Sequence, residues 1–215
     1  MCLDYGNVAG GVLCADGHYG YSQPVGGVIV YENQISPSGV GYDIACGNKA
    51  VRTNLKYTDI KQRVPQIMDE IAKRISFGIG RKNKEKVDHE LFDASEWNVY
   101  REIGQHEHDE LKKLARDQLG TVGSGNHFVD LLIEEDSGDV WIANHFGSRG
   151  FGHKTASGFL NLAKGRKFLD RAPGESMEQP PTLIELDSEL GAMYYQAMTL
   201  AGKYAYAGRD YVIDQ

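Results

Sequence analysis

The sequence predicts an α+β fold, a mixed sheet flanked by helices, on three observations: short β-branched runs, longer segments with apolar residues at helical spacing, and glycine-rich joins between them. Glycine accounts for 26 of the 215 residues, gathered at 26–27, 39–47, 120–125 and 147–152. Such clusters mark turns with positive φ or places where backbone approaches a ligand. No repeat period runs through them.

The elements follow in order. "VGGVIVY" (25–31) and "KAVRTNL" (49–55) carry the β-branched content of strands, with 39–47 as the connection feeding the second. Ile60, Val64, Ile67, Met68, Ile71 and Ile75 recur at helical spacing, which predicts an amphipathic helix over 58–75, capped at Thr58 or Asp59 and carrying Pro65 in its first turns. Residues 78–105 are polar, include the basic cluster "RKNKEK" (81–86), and read as a long, partly irregular excursion. A helix over 109–120 stops at glycine, and a loop then runs into a strand beginning near His127. "GDVWIANHFGSRGFGHKTASGFLNLAKG" repeats the order strand, glycine loop, helix. A Pro-rich linker precedes a last helix, capped at Asp187 or Ser188 and running to about Ala207. No composition shift divides the chain, so a single domain over 1–215 is expected.

Composition excludes several classes. At 41% hydrophobic residues the chain can build a core, and a net charge of −7 with a pI near 5.5 excludes nucleic-acid binding through overall charge. Any such contact is local. Cys2, Cys14 and Cys46 form an odd, unpatterned set that suits a reducing compartment, so a cytoplasmic location is expected. No apolar run reaches the roughly 20 residues that span a bilayer, and no signal-peptide pattern opens the sequence, so no membrane partner is expected.

Four residues share one setting. Asp43 and Cys46 in "YDIACG", His127 in "GSGNHF" and His145 in "ANHFGSRG" each lie in or beside a glycine loop at a strand end. Carboxylate, thiolate and two imidazoles suffice for a divalent transition metal. Taken singly, Cys46 reads as a small buried hydrophobe, Asp43 as a turn residue and each histidine as a hydrogen-bonded loop residue. The repeated Asn-His pair, at Asn126-His127 and Asn144-His145, brings the metal reading level with these. Thiolate and imidazole suit Zn, and carboxylate beside phosphate suits Mn or Mg, so the residue types leave the ion open.

"ADGHYGYSQPVGGV" (15–28), "SPSGVGYDIACGNKAVRTNL" (36–55), "LGTVGSGNHFVDL" (119–131) and "NHFGSRGFGH" (144–153) resemble, in order, the signatures of the RtcB family of GTP-dependent RNA ligases. The resemblance implies an RtcB-like fold and an enzyme that joins an RNA 3′-phosphate or 2′,3′-cyclic phosphate to a 5′-hydroxyl, with Mn2+, in two ions, and GTP as co-substrate. Its partners would be RNA ends, from tRNA halves or broken RNA. It places Asp43, Cys46, His127 and His145 on the family's metal ligands, with Cys46 as the bridging one. Asn126, His127, Phe128, Val129 and Asp130 fall on its nucleotide-contacting segment, where the family usually has Glu at the position of Asp130. Asp16 falls on an active-site aspartate, which with Cys46 completes the catalytic pair the resemblance implies. His18 reads as support for the Asp16 loop, and Ser148-Arg149 as a phosphate holder.

Family members are about twice this length, and their third histidine ligand and guanylylated histidine match no residue here. The expectation is therefore either part of a longer ligase or a reduced relative. A metal-containing RNA-end binder, using Arg149 and the 81–86 cluster, and a metal-dependent phosphoesterase are the alternatives.

Overall fold

The computed structural model describes residues 2–171 and 173–215. Strands β1 (Val8–His18) and β2 (Val25–Tyr31) form a hairpin; β3 (Gln34–Ile35) and the short helix α1 (Pro37–Val40) lead through a turn into β4 (Gly47–Lys56). Helices α2 (Tyr57–Ile60), α3 (Val64–Arg74), α4 (Asn98–Ile103) and α5 (Gln105–Gln118) follow. Strands β5 (Phe128–Ile133) and β6 (Asp139–Phe146) precede helix α6 (Arg149–Ala163), strand β7 (Ile184–Glu185) and helix α7 (Glu189–Asp214).

The α+β class is the one the chain adopts. Its strands pair antiparallel in three small sheets, β1–β2, β3–β7 and β4–β6–β5, where the sequence suggests one mixed sheet. The reason is local: β5 and β6 are joined by a tight hairpin closed by the Gly138 N–H donating to the Glu134 carbonyl at 2.8 Å, and hairpins can only make antiparallel pairs. Register in this sheet sets Asn48 and Phe128 on either side of His145, so three side chains at one sheet end project together.

Three elements differ from the sequence reading. The helix expected over 58–75 is split into α2 and α3, because Pro65 has no N–H to give the carbonyl of Lys61 and instead sits in the first turn of a new helix. The polar excursion expected over 78–105 is irregular only in its first part. From Glu90 to Ile103 it forms two short 3-10 turns and α4, and buries Leu91, Phe92, Trp97, Val99 and Tyr100 in the core. Turns this short are shorter than the window in which a helical period becomes visible. Helix α7 runs to Asp214, beyond the expected stop near Ala207, because Gly208 does not end it: an alanine Cβ there would lie 3.3 Å from the Phe146 ring, so the glycine lets helix and sheet approach. Its N-cap is Ser188, whose hydroxyl accepts the Gly191 N–H at 3.0 Å.

The main core lies where α4, α5, α6 and α7 meet and is dominated by rings. Phe151 touches Trp97, Tyr100 and Tyr204 at centroid separations of 5.0, 5.8 and 5.3 Å. A second cluster of Ile75, Val122, Val129, Phe146 and Val212 joins the β4–β6–β5 sheet to α3 and α7. The sheet end that carries the histidines is thus clamped from behind by α7. No helix among the described residues is long and apolar enough to cross a membrane.

Replacing Phe151 by alanine should cost about 3–5 kcal/mol of stability, because the ring is fully buried and packs against Trp97, Tyr100 and Tyr204. A urea midpoint unchanged from wild type would contradict this packing account.

Candidate metal centre

The turn between α1 and β4 aims two ligands one way. Ala45 adopts φ of +56°, a left-handed conformation that tightens the chain so that the Cys46 N–H donates to the Asp43 carbonyl at 3.0 Å. Asp43 and Cys46 then face the same space. Asp43 is held from the far side by helix α6: its Oδ1 accepts the Arg149 N–H at 3.0 Å, where the helix N-terminus favours a carboxylate. Its Oδ2 lies 3.0 Å from His127 Nε2 and is otherwise buried with no hydrogen-bond partner among the described residues.

Both histidines are oriented by their outer nitrogens. His127 Nδ1 donates to the Val122 carbonyl at 2.9 Å, which leaves Nε2 as the atom that faces Asp43 and, at 3.6 Å, Cys46 Sγ. His145 Nδ1 lies 2.8 Å from the Asn48 amide oxygen, an acceptor only, so this nitrogen carries the proton and Nε2 presents a lone pair 3.3 Å from Cys46 Sγ. Burial, followed by the neighbouring His127 charge, lowers the His145 pKa and favours its neutral form. Asn126 Nδ2 reaches the same Nε2 at 3.3 Å, and the Phe128 ring stacks on the His145 imidazole at 5.6 Å.

Electrostatics around the pair are opposed. Burial would raise the Asp43 carboxyl, but His127, Cys46 and Arg149 together outweigh it and hold the group below the ordinary carboxylate value. For Cys46, burial and then the Asp43 charge push the thiol up to about 12. A thiol that keeps its proton, a carboxylate oxygen and two imidazole nitrogens converge, a donor set that a divalent cation would bind in common. The ligand atoms of Asp43, Cys46 and His127 lie within 4.8 Å of one another, and His145 adjoins them through Cys46. Oxygen, sulfur and nitrogen donors, with each histidine oriented by an acceptor on its outer nitrogen, fit a divalent transition metal.

Of the residues expected from sequence, Asp43, Cys46, His127, His145 and Asn126 come together, with Phe128 packed against them. Val129 points the other way into the second core cluster, and Asp130 is exposed further along β5, opposite Ala143. Asp16 and His18 sit on the exposed β1–β2 hairpin, where the Asp16 carboxylate, 93% exposed, has His18 Nδ1 as its neighbour at 3.7 Å. No contact among the described residues joins Asp16 to the centre. Ser148 is buried, and its N–H donates to the Ile44 carbonyl at 3.1 Å.

Arg149 stands beside the centre with φ of +56°, its Nη1 3.3 Å from His127 Nδ1 and its Nε buried without a partner among the described residues. The guanidinium lies flat over Gly123, where any Cβ would come within 2.1 Å of it. Because His127 Nδ1 already donates to Val122, its contact with Nη1 is an approach of two donors, and the guanidinium keeps its hydrogen bonds for another acceptor.

Three residues were not legible as site residues. Buried Arg209 of α7 donates from Nη1 to the Ala45 and Phe146 carbonyls at 2.8 and 2.7 Å, tying the Asp43 turn to the end of β6. Asn48 orients His145, and its place two residues beyond Cys46 in an alternating strand is the one signal that could have found it. Gly147 leaves room for Asp43: an alanine Cβ there would lie 2.6 Å from the carboxylate.

Gly147→Ala should therefore displace Asp43 and weaken Mn(II) or Zn(II) binding about ten- to hundredfold in a calorimetric titration, as loss of ligand support does elsewhere; unchanged affinity would contradict the placement of Asp43. Since the Cys46 thiol holds its proton at neutral pH without a cation, metal binding must expel it, and affinity should rise from about pH 6 to about pH 8. Proton release, read from the buffer dependence of the binding heat, should fall in Cys46→Ser. Equal release in the two proteins would count against thiolate ligation.

A family profile described as tRNA-splicing ligase RtcB matches residues 5–215. Among curated proteins, a tRNA-splicing ligase RtcB from Thermococcus kodakarensis is 32% identical over 94% of this chain and 50% of its own length. One from Methanococcus maripaludis is 32% identical over 92% of this chain and 49% of its own length. An Entamoeba dispar protein named RNA-splicing ligase RtcB homolog 1 is 27% identical over 95% of this chain and 45% of its own length. The chain spans about half the length of these curated relatives. With the profile running through all four converging side chains, from one end of the fold to the other, the chain belongs to the RtcB family.

Proposed function

We propose that this chain is the metal- and end-binding part of an RNA ligase of the RtcB type, one RtcB-like domain that acts in joining RNA 3′-phosphate or 2′,3′-cyclic phosphate ends to 5′-hydroxyl ends with GTP and Mn2+. The observation that carries the reading is the convergence of Asp43, Cys46, His127 and His145 beside Arg149, whose Nε is buried with no partner among the described residues. In this reading Asp43, Cys46, His127 and His145 would hold manganese, two ions in all. Bound Mn2+ would supply a Lewis acid that neutralises phosphate oxygens.

The protein's own groups then have distinct tasks. Arg149 offers a planar fork of donors to the terminal phosphate, fixed in place by the Gly123 backbone beneath it. Asn126 turns its amide toward the same space, and Phe128 holds the His145 ring by stacking. The segment from Asn126 to Asp130 is proposed to meet the guanine nucleotide through Asn126 and Phe128, since Val129 is committed to the core. Arg209 keeps the two ligand-bearing loops at fixed separation without touching substrate. Asp16 is proposed to act on the RNA 3′ end from the β1–β2 hairpin, a role that rests on the family resemblance. The substrates would be tRNA halves or broken RNA, handled in the cytoplasm.

The test is end discrimination. Short RNAs ending in 3′-phosphate or 3′-hydroxyl are titrated with and without Mn2+, and the 3′-phosphate should be preferred about tenfold or more only when Mn2+ is present, as charge-assisted recognition of a dianion requires. Arg149→Ala and Cys46→Ser should each abolish the preference. Equal affinity for the two ends in the presence of bound Mn2+ would overturn the reading.

A further inference from the structure

A basic groove is joined by backbone hydrogen bonds to the segment that orients His127. Between Lys73 and Lys86 lie six of the chain's 23 basic residues and one of its 30 acidic ones, in a protein of net charge −7. Five of the six, Lys73, Arg74, Arg81, Lys82 and Lys84, border a groove of about 690 Å³ between the end of α3, the 81–85 loop and the last turn of α7, together with Glu85. Lys82 is paired with Asp117 at 2.7 Å and Arg74 donates to the Gln215 carbonyl at 3.3 Å, but the side chains of Arg81 and Lys84 make no ion pair among the described residues. Unpaired cations lining one groove repel one another, and an anion between them removes that cost. Phe77 and Tyr211 line the same groove, and Phe77 is 37% exposed.

The groove is built onto the site. The Gly78 N–H donates to the Gly123 carbonyl at 2.7 Å, and the Val122 N–H to the Ser76 carbonyl at 3.0 Å, so the basic loop is stitched to the segment that orients His127. The Arg149 guanidinium covers Gly123, while Arg81 packs against Gly78, where an alanine Cβ would lie 3.2 Å from Arg81 Cγ. Buried Gln118 adds a second link: its Nε2 donates to the Arg81 carbonyl at 3.4 Å and its Oε1 accepts the Gly150 N–H of α6 at 3.1 Å. Arg149 and Arg81 therefore flank one rigid two-glycine bridge.

We infer that this groove binds the phosphodiester backbone of the single-stranded RNA whose 3′ end enters the Asp43, Cys46, His127 and His145 centre, with Arg81 and Lys84 on phosphates and Phe77 as a stacking surface. The identity of the strand rests on the ligase reading; the groove's preference for a nucleic-acid polyanion rests on its own residues. Unpaired cations beside the exposed Phe77 ring suit a flexible strand, whose bases are free to stack, better than a duplex or an acidic peptide.

The experiment separates length from end chemistry. Fluorescent RNAs of about 12 and about 2 nucleotides, each ending in 3′-phosphate or 3′-hydroxyl, are titrated by anisotropy in Mn2+ against wild type, R81A/K84A and the charge-preserving R81K/K84R. Loss of two phosphate contacts should weaken the longer RNA about tenfold and make its salt slope shallower by about 1.4, while the short RNA changes less than about twofold. R81K/K84R should bind like wild type. Equal weakening of both lengths, no weakening of the longer, or competition by polyglutamate as effective per charge as by RNA would each overturn the groove. If 3′-phosphate preference is absent while the length effect still depends on Arg81 and Lys84, the end-binding reading fails and the groove stands; binding of neither RNA by wild type removes both.

Discussion

The Asp43 carboxylate is held between a helix N-terminus and a histidine, and most of the local structure exists to keep it there. One oxygen takes the first N–H of α6, which fixes the carboxylate without a side-chain partner and leaves the other oxygen turned inward beside His127 Nε2. The left-handed Ala45 bends the turn so that Cys46 follows, at a cost of about 1–2 kcal/mol for a non-glycine residue. Arg209 offsets that strain by bonding the Ala45 carbonyl directly, from a helix that also clamps the sheet. The site is thus determined by α6, α7 and β6 together, with Asp43, Cys46 and His127 carried by loops and His145 by β6 itself.

The same economy explains the histidines. Each uses its outer nitrogen for a structural acceptor, Val122 or Asn48, so that ring orientation and proton position are settled before any ligand arrives. Because Val122 is itself bonded to Ser76, the position of His127 depends on a loop that contributes no ligand. A second buried carboxylate supports the turn from the other flank: Glu175 engages Ser38, Thr182 and Lys164, and its N–H donates to the Tyr42 hydroxyl at 3.2 Å. Burial alone would raise its pKa, but these partners hold the Glu175 carboxyl below its usual value, so it stays charged and keeps the Asp43 turn anchored at neutral pH.

What the sequence made legible follows from range. Asp43, Cys46, His127 and His145 could be read because each sits in a glycine-flanked motif, and glycine beside a ligand-type residue is a signal within a few positions. Arg209 could not, since its role is set by carbonyls 63 and 164 residues away and its own surroundings read as ordinary helix. Strands 25–31 and 49–55 were visible by β-branching, whereas the 3-10 turns at Glu90–Asp93 and Ser95–Trp97 place core rings without any periodicity. Pro65 marked a helix start where the apolar spacing suggested continuity, a case in which a backbone constraint overrides the pattern. Asp16 shows the reverse: its motif is plain in the sequence, and the fold presents it on an exposed hairpin.

The central claim is that Asp43, Cys46, His127 and His145 form one metal centre. X-ray absorption on the manganese-loaded chain tests it most directly, because sulfur scatters distinguishably from oxygen and nitrogen. The account predicts a sulfur scatterer together with imidazole features in the wild type, and loss of the sulfur contribution in Cys46→Ser with the imidazole features retained. A first shell of oxygen and nitrogen alone in the wild type, or a sulfur contribution that survives in Cys46→Ser, would contradict it.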